Sequence, residues 1–115
     1  MNLLFVCTAN QLRSPTGEAV FSQYEGIAAI GCGTSKDAPR QISAELIAWA
    51  DIIFVMERYH RNKVSKQFKE LLKGKRLVCL DIPDEFERMD KALIRLLENS
   101  VSRHVRLVGR SAQQV

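Results

Sequence analysis

The chain has 115 residues and a net charge of +4, with 46% hydrophobic and 26% charged residues. These proportions exclude a disordered chain and set the expectation of a single domain over 1–115, long enough to bury a core. No apolar run approaches the ~18 residues of a membrane span, the apolar stretch 3–6 is too short for a signal peptide, and the three cysteines Cys7, Cys32 and Cys79 have no paired spacing, so a cytoplasmic protein with free thiols is expected.

In chain order, the continuous apolar run 3–6 reads as a short buried strand. A loop follows, Cys7-Thr8-Ala9-Asn10-Gln11-Leu12-Arg13-Ser14-Pro15. Pro15 suits the first turn of a helix, with Ser14 as its N-cap and Gly26 as its C-cap. The run 27–30 is a second strand, and Gly31-Cys32-Gly33-Thr34-Ser35 reads as loop. A helix begins near Ser43, with Ile42 and Ile47 placed as a hydrophobic staple. Trp49, at helical spacing, belongs to the core or to a cleft edge.

The third strand covers 51–56 and is the clearest of the four, β-branched and apolar between polar flanks. A helix over 59–72 follows, with Val64, Phe68, Leu71 and Leu72 on one side and lysines on the other. The run 77–80 is the fourth strand and places Cys79 in the core. Asp81-Ile82-Pro83-Asp84 is a loop. Met89, Leu93, Leu96, Leu97 and Val101 carry helical spacing into a last helix. Past Val105, with Gly109 and Ser111, the chain is expected to fray.

Strands alternating with helices imply an α/β fold in three layers, a parallel sheet of four strands covered on both faces. In such sheets ligands bind beyond the carboxyl ends of the strands. Cys7 follows the first strand on that rim, and Asp81 and Asp84 follow the fourth. Between them, Arg58, Arg61, Lys63, Lys66, Lys69, Lys73, Lys75 and Arg76 face only Glu70. That stretch is either the solvated face of a helix or a docking surface for acidic partners.

The loop after the first strand opens a helix, so backbone N–H groups and the positive helix end meet above Cys7. An anion fits there, and so does a nucleophilic cysteine. Arg13 presents a planar fork that matches two phosphoryl oxygens. A carboxylic acid on the opposite lip, Asp81 or Asp84, can protonate a leaving oxygen. Together these groups suit phosphate-ester hydrolysis through a cysteinyl-phosphate. No cofactor or metal is called for; His60 and His104 lack ligand partners at usable spacing.

The loop resembles the phosphate loop of the low-molecular-weight protein tyrosine phosphatases, whose pattern is Cys, two residues, Asn, two residues, Arg-Ser, commonly then Pro. Asp81-Ile82-Pro83-Asp84-Glu85-Phe86 is similar to that family's acid loop, with Glu85 where Pro is usual. Asp51 to Glu57 resembles its third strand and the Met-acidic pair ending it. The resemblance implies a four-stranded parallel sheet and a two-step reaction. Cys7 would attack phosphorus, Arg13 would bind the phosphoryl oxygens, and Asp84 would protonate the leaving phenol and then activate water. Asn10 and Ser14 would hold the loop, with Ser14 hydrogen-bonded to the Cys7 sulfur. Thr8, Ala9, Gln11 and Leu12 would contact the substrate, and Phe86 would wall the site.

The substrate would be a phosphorylated protein or small aryl phosphate and the product inorganic phosphate, with no membrane or nucleic-acid partner. Leu12 stands where many members carry a second loop cysteine. Two other readings remain. One is a thiol redox enzyme such as an arsenate reductase on the same scaffold, which needs a resolving pair of cysteines; Cys32 and Cys79 show no such spacing. The other is a non-catalytic phosphate-binding module.

Overall fold

The structure, a computed structural model, describes residues 1–109. Four strands, β1 (Asn2–Cys7), β2 (Ala28–Gly33), β3 (Ile52–Val55) and β4 (Arg76–Cys79), form one parallel sheet in the order β2-β1-β3-β4. The helices are α1 (Arg13–Phe21), α2 (Ala44–Trp49), α3 (Arg58–Gln67) and α4 (Lys91–Val101), with a 3-10 turn at Lys69–Leu72. No helix among the described residues is long and apolar enough to cross a membrane.

Alternation along β1 builds the two cores. Leu3, Phe5 and Cys7 point to one face, where Val20 and Phe21 of α1 and Leu93, Leu97 and Val101 of α4 cover them. Leu4 and Val6 point to the other, against Ile47 of α2 and Val64 of α3. This is the period-two pattern of a central strand buried on both sides. Phe5 stacks between Phe21 and Phe54, at centroid distances of 5.1 and 5.4 Å. Gly17 makes room for that stack, since a Cβ there would lie 2.7 Å from the Phe5 ring.

The α1 boundaries differ from those read in the sequence. The helix starts at Arg13, with Leu12 as its N-cap, and Ser14 lies inside the first turn with its hydroxyl aimed back into the loop. Pro15 costs nothing there, because the first four helical N–H groups have no intrahelical partner. The helix also ends early, at Phe21. Residues 22–26 form tight turns, and Gly26 adopts φ +74° in the turn into β2 rather than capping the helix.

β2 runs three residues longer than its apolar signal. Gly31, Cys32 and Gly33 pair with Phe5, Val6 and Cys7 instead of forming a loop. The glycines are there because backbone lies directly on them. A Cβ at Gly31 would come 2.5 Å from the Ser14 carbonyl oxygen, and one at Gly33 equally close to that of Thr8. Glycine inside a strand marks such an approach as readily as it marks a loop.

Ser43 caps α2 as expected, accepting the Leu46 N–H. The long third helix breaks at buried Phe68, and the 3-10 turn that follows leaves Leu71 exposed. Met89 precedes α4 at φ +62° and is exposed, as is Leu96, so the buried stripe is Leu93, Leu97 and Val101. Cys79 is half-buried on the edge strand β4. Residues 105–109 do not fray: Val105 is buried, and the Val108 carbonyl accepts the Glu25 N–H. Ser111 lies outside the described residues.

Candidate active site

The carboxyl ends of β1, β3 and β4 deliver three chain segments to one rim. The loop after β1 lies against residues 34 and 35, whose N–H groups bond the carbonyls of Cys7 and Thr8 at 2.9 and 3.0 Å. No peptide bond is cis. The N–H groups of Thr8 and Ala9 therefore point opposite to those carbonyls, away from residues 34 and 35, and both residues line a cleft of about 390 Å³. Asn10 turns the loop at φ +55°, a conformation asparagine accepts better than most residues. Its side-chain oxygen accepts the Ser14 hydroxyl at 2.8 Å, and the Ser14 oxygen lies 3.0 Å from the Cys7 sulfur.

Arg13 ends the loop and is only 2% exposed. Its Nη1 donates to the Glu57 carboxylate and, at 2.7 Å, to the Ile82 carbonyl, and its Nε stands 3.9 Å from Asp84. One guanidinium thus joins the loop after β1, the end of β3 and the loop after β4. Burial acts to lower the Arg13 pKa, but the hydrogen bonds of Glu57 and Tyr59 and the charges of Glu57 and Asp84 together raise it. Glu57 mirrors this: desolvation pushes its carboxyl up, and the bond and charge of Arg13, with smaller help from Tyr59 and His60, bring it net down.

Glu57 also caps α3, and the first turn of that helix reaches the start of the loop. Glu57 N–H donates to His60 Nδ1 at 3.0 Å, which leaves the Nε2 proton of neutral His60 for Thr8 Oγ1 at 2.8 Å. Tyr59 places its hydroxyl 3.1 Å from Thr8 Oγ1 and donates to Glu57 at 3.3 Å. His60 is fully buried, and burial together with the Arg13 charge lowers its pKa to about 4.

A pH dependence of stability follows. The folded chain takes a proton at His60 only near pH 4, whereas an unfolded histidine does so near 6.5. Between those values the unfolded state binds more protons, so stability falls as pH drops from about 6.5 to 4, by up to about 3 kcal/mol. Glu57, with its lowered pKa, loses stabilisation in the same direction below its ordinary 4.5. Denaturant titrations from pH 7 to 4 should show the fall. His60→Gln should flatten its upper part, and an unchanged slope in that variant would remove His60 as the cause.

The cleft brings together Cys7, Thr8, Ala9, Gln11, Leu12, Arg13, Tyr59 and Asp84. Asn10 and Ser14 lie behind it and brace the loop. Asp81 faces a neighbouring pocket with Glu57, Arg58, Tyr59 and Pro83, and accepts the Cys79 thiol at 3.4 Å. Phe86, expected at the wall, packs instead against the core on the α1 and α4 side. None of Glu57, Tyr59 and His60 was given a role at the site from the sequence: Glu57 entered only as the acidic end of the third strand and His60 only as a histidine without ligand partners. The Met-acidic end of β3, with His60 three residues on at capping-box spacing, was the available signal.

The other thiols are out of reach of Cys7. Cys32 pairs with Val6 and packs on the opposite face of the sheet, where burial raises its pKa strongly. Cys79 lies beyond β3, about 10 Å away at ordinary strand spacing, too far for a disulfide. Among the described residues no group of three or more His, Cys, Asp or Glu side chains is placed to hold a metal ion.

The strand order and the cysteine-to-arginine loop at the tip of β1 define the class of fold, that of the low-molecular-weight protein tyrosine phosphatases. Three solved structures illustrate it. The YwlE arginine phosphatase from Geobacillus stearothermophilus matches at TM-score 0.69 and 24% identity, over 89% of this chain and 88% of that one. The tyrosine phosphatase Wzb from Escherichia coli K30, in complex with phosphate, matches at 0.68 and 23%, over 89% and 94%. The low-molecular-weight protein tyrosine phosphatase SP-PTP from Streptococcus pyogenes matches at 0.74 and 16%, over 90% and 93%. No protein-family model and no curated protein matches the chain.

Proposed function

We propose that the protein is a cysteine-dependent phosphatase that hydrolyses phosphotyrosine or other aryl phosphate monoesters in one protein domain. The observation that carries this reading is the convergence of Cys7, buried Arg13 and Asp84 on one cleft. Cys7 Sγ attacks phosphorus as the thiolate, and the bond to the phenolic oxygen breaks. Asp84 gives that oxygen its proton. Water then attacks the cysteinyl-phosphate, Asp84 takes the proton back, and inorganic phosphate leaves. Throughout, the phosphoryl oxygens lie against the loop N–H groups and Arg13, and Ser14 stabilises the sulfur as leaving group.

The placement of Asp84 at the cleft, with Asp81 turned to the next pocket, supports Asp84 as the acid. The separation of Cys7 from Cys32 and Cys79 favours phosphate transfer over a redox cycle that needs a resolving thiol. Because the matching structures include an arginine phosphatase, the test assays p-nitrophenyl phosphate, a phosphotyrosine peptide and a phosphoarginine peptide side by side. Hydrolysis of the two aryl substrates is expected. Absence of any turnover would leave only a phosphate-binding module.

Asp84→Asn should lower kcat by about 10²–10³-fold for phenyl phosphate and less for p-nitrophenyl phosphate, whose leaving group needs less protonation. If Asp81→Asn produced that pattern instead, the acid would be Asp81.

A further inference from the structure

We propose that Thr16 is a positioning residue for the general acid: it ties the far end of the Asp84 loop to the helix that begins at Arg13, and so fixes where the carboxyl stands at the cleft. The proposal rests on the phosphatase reading and concerns its proton-transfer step. Thr16 is fully buried in the first turn of α1 and is not among the cleft-lining residues. Its hydroxyl donates to the Leu12 carbonyl at 2.7 Å and accepts the Met89 N–H at 2.9 Å. Arg13, three residues earlier and on the same face of the helix, holds the near end of the loop through the Ile82 carbonyl at 2.7 Å. Both anchors therefore belong to one turn of α1, the turn that closes the phosphate loop.

The backbone of the loop depends on such anchors. Asp81 and Met89, at its two ends, have φ of +55° and +62°. Residues other than glycine adopt such angles rarely and keep them where the surrounding contacts over-determine them. Between these ends every residue from 83 to 88 except Phe86 is exposed. Phe86 packs on the core, and apolar packing is not directional. Two further bonds, Glu85 N–H to the Pro83 carbonyl and Asp90 N–H to the Glu87 carbonyl, stay within the segment. Apart from the 3.9 Å approach of Asp84 to Arg13, the Met89–Thr16 bond is the polar tie from 83–89 to another element among the described residues. Without the Thr16 hydroxyl, the Met89 N–H turns to water and the Asp84 side of the loop is held from the Ile82 end alone. Protonating a leaving oxygen needs the carboxyl within hydrogen-bond reach. Binding phosphate on the loop after β1 does not.

The test compares wild type with Thr16→Val, which keeps the shape and removes the hydroxyl, Thr16→Ala, a second hydroxyl-free variant, and Thr16→Ser, which keeps the hydroxyl. Each is checked for folding by circular dichroism. The measurements are kcat/KM for phenyl phosphate and p-nitrophenyl phosphate, inhibition by inorganic phosphate, and amide hydrogen exchange over 82–90. Thr16→Val should lower kcat/KM about tenfold for phenyl phosphate and about threefold or less for p-nitrophenyl phosphate, whose leaving group needs less protonation. Phosphate inhibition should stay within about twofold of wild type. Exchange at Met89 should quicken, and Thr16→Ser should restore both the exchange rate and the ratio between the esters. Added to Asp84→Asn, Thr16→Val should cause little further loss, because the acid it positions is already gone.

Equal losses for both esters with weaker phosphate inhibition overturn the proposal, since Thr16 would then act on the phosphate loop through Leu12. So does an unchanged ratio between the esters in the hydroxyl-free variants, or a full further loss on top of Asp84→Asn. An unchanged exchange rate at Met89 removes the tie itself. The phosphatase reading fails separately. A wild type that hydrolyses neither ester ends that reading and the role of Thr16 with it, whereas wild-type turnover with an unchanged ratio in Thr16→Val and Thr16→Ala ends the role of Thr16 alone.

Discussion

Replacing Cys7 by serine is expected to lower kcat for p-nitrophenyl phosphate by about ten-thousandfold or more while leaving phosphate binding in place. Cys7 closes β1, is buried, and meets the Ser14 hydroxyl at 3.0 Å. A serine oxygen fits that position and can keep the hydrogen bond, so the loop should hold its shape. What changes is the nucleophile: an alcohol is not ionised to a useful extent near neutral pH and needs a general base to attack, whereas a thiolate attacks as it stands. Arg13 and the loop N–H groups still offer an oxyanion site. The check is kcat by initial rates and phosphate affinity by titration on the same preparation. Turnover within tenfold of wild type would end the cysteinyl-phosphate reading.

Arg13→Lys should reduce kcat/KM by about 10²–10³-fold and destabilise the fold by about 1–3 kcal/mol. Both effects come from one geometry. The guanidinium holds Glu57 and the Ile82 carbonyl through Nη1 while its edge lies at the cleft. A lysine brings charge but a single nitrogen, which cannot serve two protein acceptors and a phosphoryl group in fixed directions. Ile82 is itself buried, so its carbonyl would be left without a good partner. Steady-state kinetics and a urea titration separate the two losses. If kcat/KM stayed within tenfold of wild type, Arg13 would be a structural tie and not the phosphoryl-binding group.

The loop from Cys7 to Ser14 was legible in the sequence because its members are neighbours in the chain and a strand and a helix flank them. Asp84 was narrowed to one of two because Pro83 marks the loop but not which aspartate turns inward. Glu57, Tyr59 and His60 were not legible. They lie in the first turn around the start of α3, and their importance depends on β3 pairing beside β1, a contact between distant parts of the chain. Phe86 and Gly31 misled for a related reason. An aromatic residue near a site can fill the core instead, and a glycine that looks like a loop can be a strand residue with backbone pressed on it. The expected fraying after Val105 overlooked a backbone bond to Glu25 that carries no side-chain signal.

The seat of the loop on Gly31 and Gly33 bears on how such a protein can change over time. Backbone of Thr8, Asn10 and Ser14 lies on the two glycines there, and the one side-chain atom as close is the Ala38 Cβ. Core side chains can drift in size and identity without passing a displacement through that contact, because nothing at the contact has a rotamer to alter. That leaves the rest of the chain wide latitude to vary. The two glycines would be the last positions free to join it.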